Sequence, residues 1–283
     1  MNNTFDITQA IKNFFSREEK SGILLLIFAT LALIVVNSPL QSIYFDIKYA
    51  SIPINIGDFS FTKSVSHWVN DGLMAIFFFV IGLELKREII EGELSSFDRM
   101  VLPAIAAVGG MVAPALIYVL INYSSPENMS GWAIPTATDI AFSLAVLLII
   151  GKSVPLSLKV FLLSLAIIDD LGAVLIIAFF YTSEISTHYL LYSAVVFSFL
   201  ILLNMSGSQK MYIFILLGIF LWYFVLKSGI HATIAGVLLA TTIPNNENNN
   251  LEHSMLKQLE HKLHNFVGIL VLPTFEFFNS ESN

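Results

Sequence analysis

SLAIIDDLGAVLIIAFF, Ser164–Phe180, sets two adjacent aspartates, Asp169 and Asp170, inside an otherwise apolar run. An ionised carboxylate at the centre of a membrane helix costs roughly 2.5–3.5 kcal/mol on insertion scales. The pair therefore has to face an aqueous cavity or a partner, or carry protons. Neighbours on a helix also point about 100° apart, so the two acids cannot share one environment. Desolvation and a second nearby negative charge both raise a carboxylate pKa. At least one of the pair is thus brought toward proton exchange near neutrality, and an arriving cation would favour the ionised forms and expel protons. The bland alternative is a polar pair hydrogen-bonded inside a helical bundle.

The rest of the chain fits a bilayer. Its 283 residues are 56% hydrophobic and 12% charged, too little polar surface to dress a soluble globule of this size. A spanning helix needs about 20 mostly apolar residues. Such runs occur near 20–37, 65–85, 101–122, 131–150, 156–180, 187–204, 211–227, 230–243 and 264–278. The reading is an all-α polytopic membrane protein, one membrane domain over residues 1–283 with nine spans.

Basic residues orient it, because cytoplasmic loops retain Lys and Arg. With the N-terminus inside, Lys12, Arg17, Lys20, Lys86, Arg87, Arg99, Lys152, Lys159, Lys210, Lys257 and Lys262 fall on the cytoplasmic side. Lys48, Lys63 and Lys227 fall outside. No small-residue cleavage pattern follows the first apolar run, which reads as a retained span. The absence of cysteine excludes thiol catalysis and thiolate metal sites. The net charge of −7, carried mostly by loops, does not suggest nucleic acid.

Two segments outside the spans carry pattern. In IPINIGDFSF, Ile52–Phe61, isoleucines alternate with Pro53 and Asn55 before Gly57 and Asp58 break the run, the signal of an outer hairpin within 45–62. An irregular loop is the alternative. In NNENNNLEHSMLKQLEHKLHNF, Asn245–Phe266, Leu251, Met255, Leu259 and Leu263 recur at four-residue spacing after an asparagine-rich linker. This makes a cytoplasmic amphipathic stretch over 244–262 with Glu260, His261 and His264 on or near its polar side.

Polar groups enter the apolar runs at two more places. GWAIPTATDIAFSLAV, Gly131–Val146, has Pro135 removing a helix hydrogen bond just before Thr136, Thr138 and Asp139. Broken helices at membrane depth are tolerated where they line protein or a cavity. Thr138 and Asp139 are thus candidates for the same site as the aspartate pair. IGLELKREIIEGEL, Ile81–Leu94, closes the second span; Lys86, Arg87 and Glu88 read as a cytoplasmic stop signal, while Glu84, a turn deeper, belongs either to it or to a proton funnel. Asp71 reads as a helix-terminal acid and His231 as a satisfied bundle histidine.

Taken together, NDGLMAIFFFVIGLELKRE, GWAIPTATDIAFSLAV, LAIIDDLGAVLIIAFFYT, SGIHATIAGV and LEHKLH resemble, in order and spacing, the NhaA family of sodium/proton antiporters, from about Ile11 to about Phe277. The resemblance implies an inverted-repeat transporter fold, of which this family is a type example, and secondary active export of Na⁺ or Li⁺ against protons, with no cofactor and no enzymatic reaction. It implies a multi-pass protein of the bacterial inner membrane with a cytoplasmic N-terminus. Asp170 matches the main cation ligand and Asp169 its proton-exchanging neighbour; Thr138 and Asp139 match the unwound crossing that completes the site. Glu84, Glu88, Lys257, Glu260, His261 and His264 match a cytoplasmic cluster associated with pH sensing. Ile52–Phe61 looks like the hairpin through which members form homodimers.

One departure stands beside the resemblance. Members continue about a hundred residues further, so the expectation is that the second repeat is largely missing here, with its broken helix and an embedded lysine that would partner Asp169. Three readings stay open: a Na⁺(Li⁺)/H⁺ antiporter, a non-transporting remnant or regulatory partner of a full-length homologue, and a proton-coupled transporter of another solute. Against the last, carboxylates and hydroxyls without an embedded base suit a hard cation.

Overall fold

A computed structural model describes residues 21–56, 59–136, 155–180, 185–245 and 254–280. Among the described residues the protein is mostly helical, with one small two-stranded antiparallel sheet. Helix α1 (Ser21–Val36) meets α2 (Gln41–Tyr49) at a bend of 113°. Pro39 in the bend has no N–H to continue the ladder. The last carbonyls of α1 each accept a backbone and a side-chain donor: Leu33 O takes Asn37 N–H at 3.1 Å and Asn37 Nδ2 at 2.8 Å, and Val35 O takes Ser38 N–H at 3.2 Å and Ser38 Oγ at 2.8 Å.

Strands β1 (Ser51–Ile56) and β2 (Phe59–Ser64) pair with Ser51 opposite Ser64 and Ile54 opposite Phe61. The expected hairpin strands are therefore present, while its turn residues Gly57 and Asp58 lie outside the described residues. Phe61, only 5% exposed, fixes this sheet to the bundle. Its ring lies 5.5 Å from Trp68 and 5.8 Å from Tyr223, edge-on to both. Lys227 Nζ sits 5.4 Å from the Phe61 ring centroid, so a cation completes the aromatic seat.

The chain then runs through a π-helical stretch, Trp68–Leu73, into α3 (Met74–Ile90). Next come α4 (Phe97–Asn122), a 3₁₀ stretch over Pro126–Thr136, α5 (Leu156–Phe180), α6 (Thr187–Met205), α7 (Met211–Lys227) and α8 (Ile234–Thr242). Helix α9 (Met255–Phe266) passes through a π turn, Val267–Val271, into α10 (Leu272–Asn279). Among the described residues, α4 and α6 are each long and apolar enough to cross a membrane, and the bent α1–α2 pair qualifies as a third if taken as one span.

Helices α3 and α8 pack closely together. A Cβ added at Gly236 would overlap the Ala75 carbonyl oxygen and come within 2.8 Å of the Phe79 nitrogen. One at Gly82 would meet the Ala240 Cβ at 2.6 Å. Glycine is required at both positions because the two backbones nearly touch. Around this seam Leu83, Leu200, Phe214, Leu221 and Leu256 are fully buried, joining α3 to α6, α7 and α9.

Gly236→Ala is accordingly expected to destabilise the protein by about 1–3 kcal/mol through overpacking, read as a lower melting temperature in detergent. Gly109→Ala, where an added Cβ meets nothing within 4 Å, should stay within about 0.5 kcal/mol of the parent.

Candidate functional site

Helix α5 carries the aspartate pair, and the 100° step between neighbours separates them as the sequence requires. Asp169 is 3% exposed, whereas Asp170 is half-buried. Ala166 and Ile167 beside them are buried, so the pair sits in an apolar wall. The helix is held by α4 and α3. Gly172, one turn past Asp169, lets the Met111 sulfur of α4 approach its backbone. Thr138 and Asp139 lie outside the described residues. The 3₁₀ stretch that leads toward them ends in Pro135 and Thr136, with Thr136 Oγ1 donating to Ala133 O at 2.6 Å.

The second charged level lies at the end of α3. Glu84 and Glu88 are both buried there. Arg87 organises the group: its Nε–H is shared by both Glu260 oxygens, at 3.0 and 2.9 Å, and its Nη1 reaches Glu88 Oε1 at 2.9 Å. One turn on, Glu91 accepts from Lys257 Nζ at 2.5 Å and from Asn245 Nδ2 at 2.6 Å. Of the six residues expected at this level, Glu88, Glu260 and Lys257 are thus tied together through Arg87 and Glu91. His261 is exposed and His264 half-buried on the same helix.

Arg87, Glu91 and Asn245 join this cluster, although the sequence alone reads Arg87 as part of a stop signal. The signal available was the spacing: Arg87 and Glu91 are four apart and share a helix face. Burial alone would lower the Arg87 pKa, but the charges of Glu260, Glu88 and Glu84 outweigh it and hold the guanidinium protonated. Burial alone would raise the Glu91 carboxyl; hydrogen bonds from Lys257 and Asn245 and the charges of Lys257 and Arg87 bring it below its ordinary value. A separate cavity of about 680 Å³, lined by Trp68, Gly72, Gly218, Trp222, Gly236 and Leu263 among others, contains no charged side chain. Among the described residues no group of three His, Asp or Glu side chains could hold a resident metal ion.

Apolar helices with buried carboxylates at one level and a braced charge cluster at their ends define the class, an α-helical membrane transporter. The chain belongs to the Na⁺/H⁺ antiporter 1 family, whose model matches residues 12–282. It is 51% identical over 275 residues to the Na⁺/H⁺ antiporter NhaA of Pelagibacter ubique, covering 97% of this chain and 70% of that protein. The NhaA of Vibrio alginolyticus is 50% identical over 274 residues, covering 97% of this chain and 69% of its own. That of Mesorhizobium japonicum is 52% identical over 274 residues, covering 95% and 67%.

The depressed Glu91 carboxyl fixes the sign of a pH effect. Its contribution to stability is complete above the ordinary carboxylate pKa and is lost as pH falls through the lower native value. Glu91→Gln should lower stability at neutral pH by no more than about 1 kcal/mol, as for a solvent-facing pair, read as a lower melting temperature. The difference from the parent should vanish in acid, which melting curves across pH would read.

Proposed function

We propose that this chain is a Na⁺/H⁺ antiporter of the bacterial inner membrane, a transporter and not an enzyme. The observation that carries the reading is a family match along nearly the whole chain, combined with Asp169 and Asp170 standing side by side in different environments within an apolar helix. In this mechanism Na⁺ binds carboxylate and hydroxyl oxygens of Asp170, Asp169, Asp139 and Thr138, a donor set suited to a hard cation. Its charge stabilises the ionised acids and releases their protons to the cytoplasm. On the other side, where protons are abundant, protonation removes the anionic ligands and Na⁺ leaves. Exchange follows because one set of oxygens cannot hold both cargoes.

Li⁺, with the same hard chemistry, is proposed as a second cargo. Regulation by pH is assigned to Glu84, Glu88, Lys257, Glu260, His261 and His264. Support comes from the ion pairs joining Glu88, Glu260 and Lys257 at the end of α3, and from histidines whose ordinary pKa lies near neutrality. The inverted-repeat arrangement, nine spans within these residues, a cytoplasmic N-terminus and a homodimer formed through the β1–β2 hairpin belong to the same proposal.

The test uses everted vesicles containing the 283-residue chain. Adding Na⁺ should dequench a ΔpH dye, and Asp170→Asn should abolish the response while the protein remains inserted. Asp169→Asn should cut the rate by about tenfold or more. An inserted parent without any response would remove the antiport reading for this chain, and an unchanged Asp170→Asn response would remove the site.

A further inference from the structure

Lys86 stands beside the charge cluster but does not join it. Arg87 takes Glu260 and Glu88, Glu91 takes Lys257 and Asn245, and Lys86 points instead at α8. Its Nζ donates to Thr241 O at 2.6 Å and to Ile243 O at 2.6 Å.

A helix end leaves its last carbonyls without intrahelical donors. At the end of α8 several carbonyls have local donors. Leu238 O accepts from the Thr241 hydroxyl at 2.7 Å, Leu239 O from the Thr242 hydroxyl at 2.7 Å, and Ala240 O from the Ile243 N–H at 3.2 Å. The next donor along the backbone would come from residue 244, which is proline and has no N–H. Thr241 O therefore takes its donor from elsewhere in the fold, and the same Lys86 ammonium also serves Ile243 O just past the helix. Ile243 is 0% exposed and Pro244 is also buried, so water is a poor substitute at Ile243 O, whereas Thr241 is exposed. An ammonium also suits the negative end of the helix dipole. It arrives in register because Gly82, one turn before Lys86, packs on Ala240, one residue before Thr241.

We propose that Lys86 is a positioning residue for transport: a cap supplied from a different helix that fixes the end of α8 against α3. The transport half of this inference rests on the antiport reading; the structural half does not. Substitution at Pro244 supplies an internal check. Pro244 keeps Ile243 extended, at ψ 126°; Ala at 244 lets the helix run on, so that the N–H of residue 245 can reach Thr241 O and make that carbonyl independent of Lys86.

Amide hydrogen exchange on the purified full chain reads the cap directly. Lys86→Met should speed exchange across residues 238–243 by about tenfold, Lys86→Arg should keep the parent pattern, and Lys86→Met with Pro244→Ala should regain most of it. In vesicles Lys86→Met should lower the maximal Na⁺-driven rate about fivefold or more with the apparent KM for Na⁺ within about twofold, and Lys86→Arg should restore the rate. Parent-like exchange in Lys86→Met, equal losses in the Met and Arg variants, no recovery from Pro244→Ala, or an unchanged maximal rate would each overturn the proposal. If Lys86→Met fails to insert, recovered insertion in the Pro244→Ala background supports the cap and continued failure overturns it. A parent that moves no protons on Na⁺ addition overturns the antiport reading and with it Lys86's part in transport, while amide exchange still decides the cap.

Discussion

The near-contact of two backbones at Gly82 and Gly236 is the constraint on which the inner half of this molecule depends. Lipid tails are as apolar as leucine, so helices in a bilayer gain little from burying apolar surface against one another and associate through close packing and hydrogen bonds. Here α3 and α8 meet through Ala75, Gly82, Gly236 and Ala240, small residues that let main-chain atoms approach. A larger side chain at any of them would separate the helices. That separation would also carry Lys86 away from Thr241 and Ile243, since both sets of contacts lie along one seam.

The end of α3 distributes its charges by angle. Lys86, Arg87 and Glu91 differ by one and four positions, so Lys86 leaves the helix in one direction while Arg87 and Glu91 leave together in another. Lys86 reaches the end of α8; Arg87 and Glu91 reach α9. Glu91 additionally holds Asn245, at the start of the linker between those helices. Both sides of the linker are thereby tied to one helix. The Arg87–Glu260 contact is partly withdrawn from solvent, so it weighs more than an exposed pair would.

What could be read from the sequence was whatever depends on local order. Apolar runs announced a mostly helical chain, and alternation from Ile52 to Ile56 announced the strands, because both are periodicities of neighbouring residues. The aspartate pair was legible for the same reason: two acids in an apolar run violate the local pattern. The seat of the hairpin was not. Phe61 looks like any strand aromatic until Trp68, Trp222, Tyr223 and Lys227 are folded around it. Lys86, Arg87 and Glu91 were hidden likewise, since the partners that tie them to α8, α9 and the linker lie more than 150 positions away. A stop signal and a structural brace use the same residue types, and only the tertiary fold separates them.

The two charged levels also differ in the kind of partner an acid needs. At the end of α3 the bases that hold Glu260 and Glu91 are covalently part of the chain, so those pairs persist through any cycle that keeps the helices together. An acid that handles a transported ion needs a partner able to depart, which argues for placing it where desolvation alone leaves its charge marginal. Asp169, almost wholly buried, and Asp170, half-buried beside it, differ in exposure through their positions on one helix. In the proposed antiport, proton and sodium are then alternative answers to the same unfavourable burial. The braced end of α3 supplies the fixed frame against which that exchange takes place.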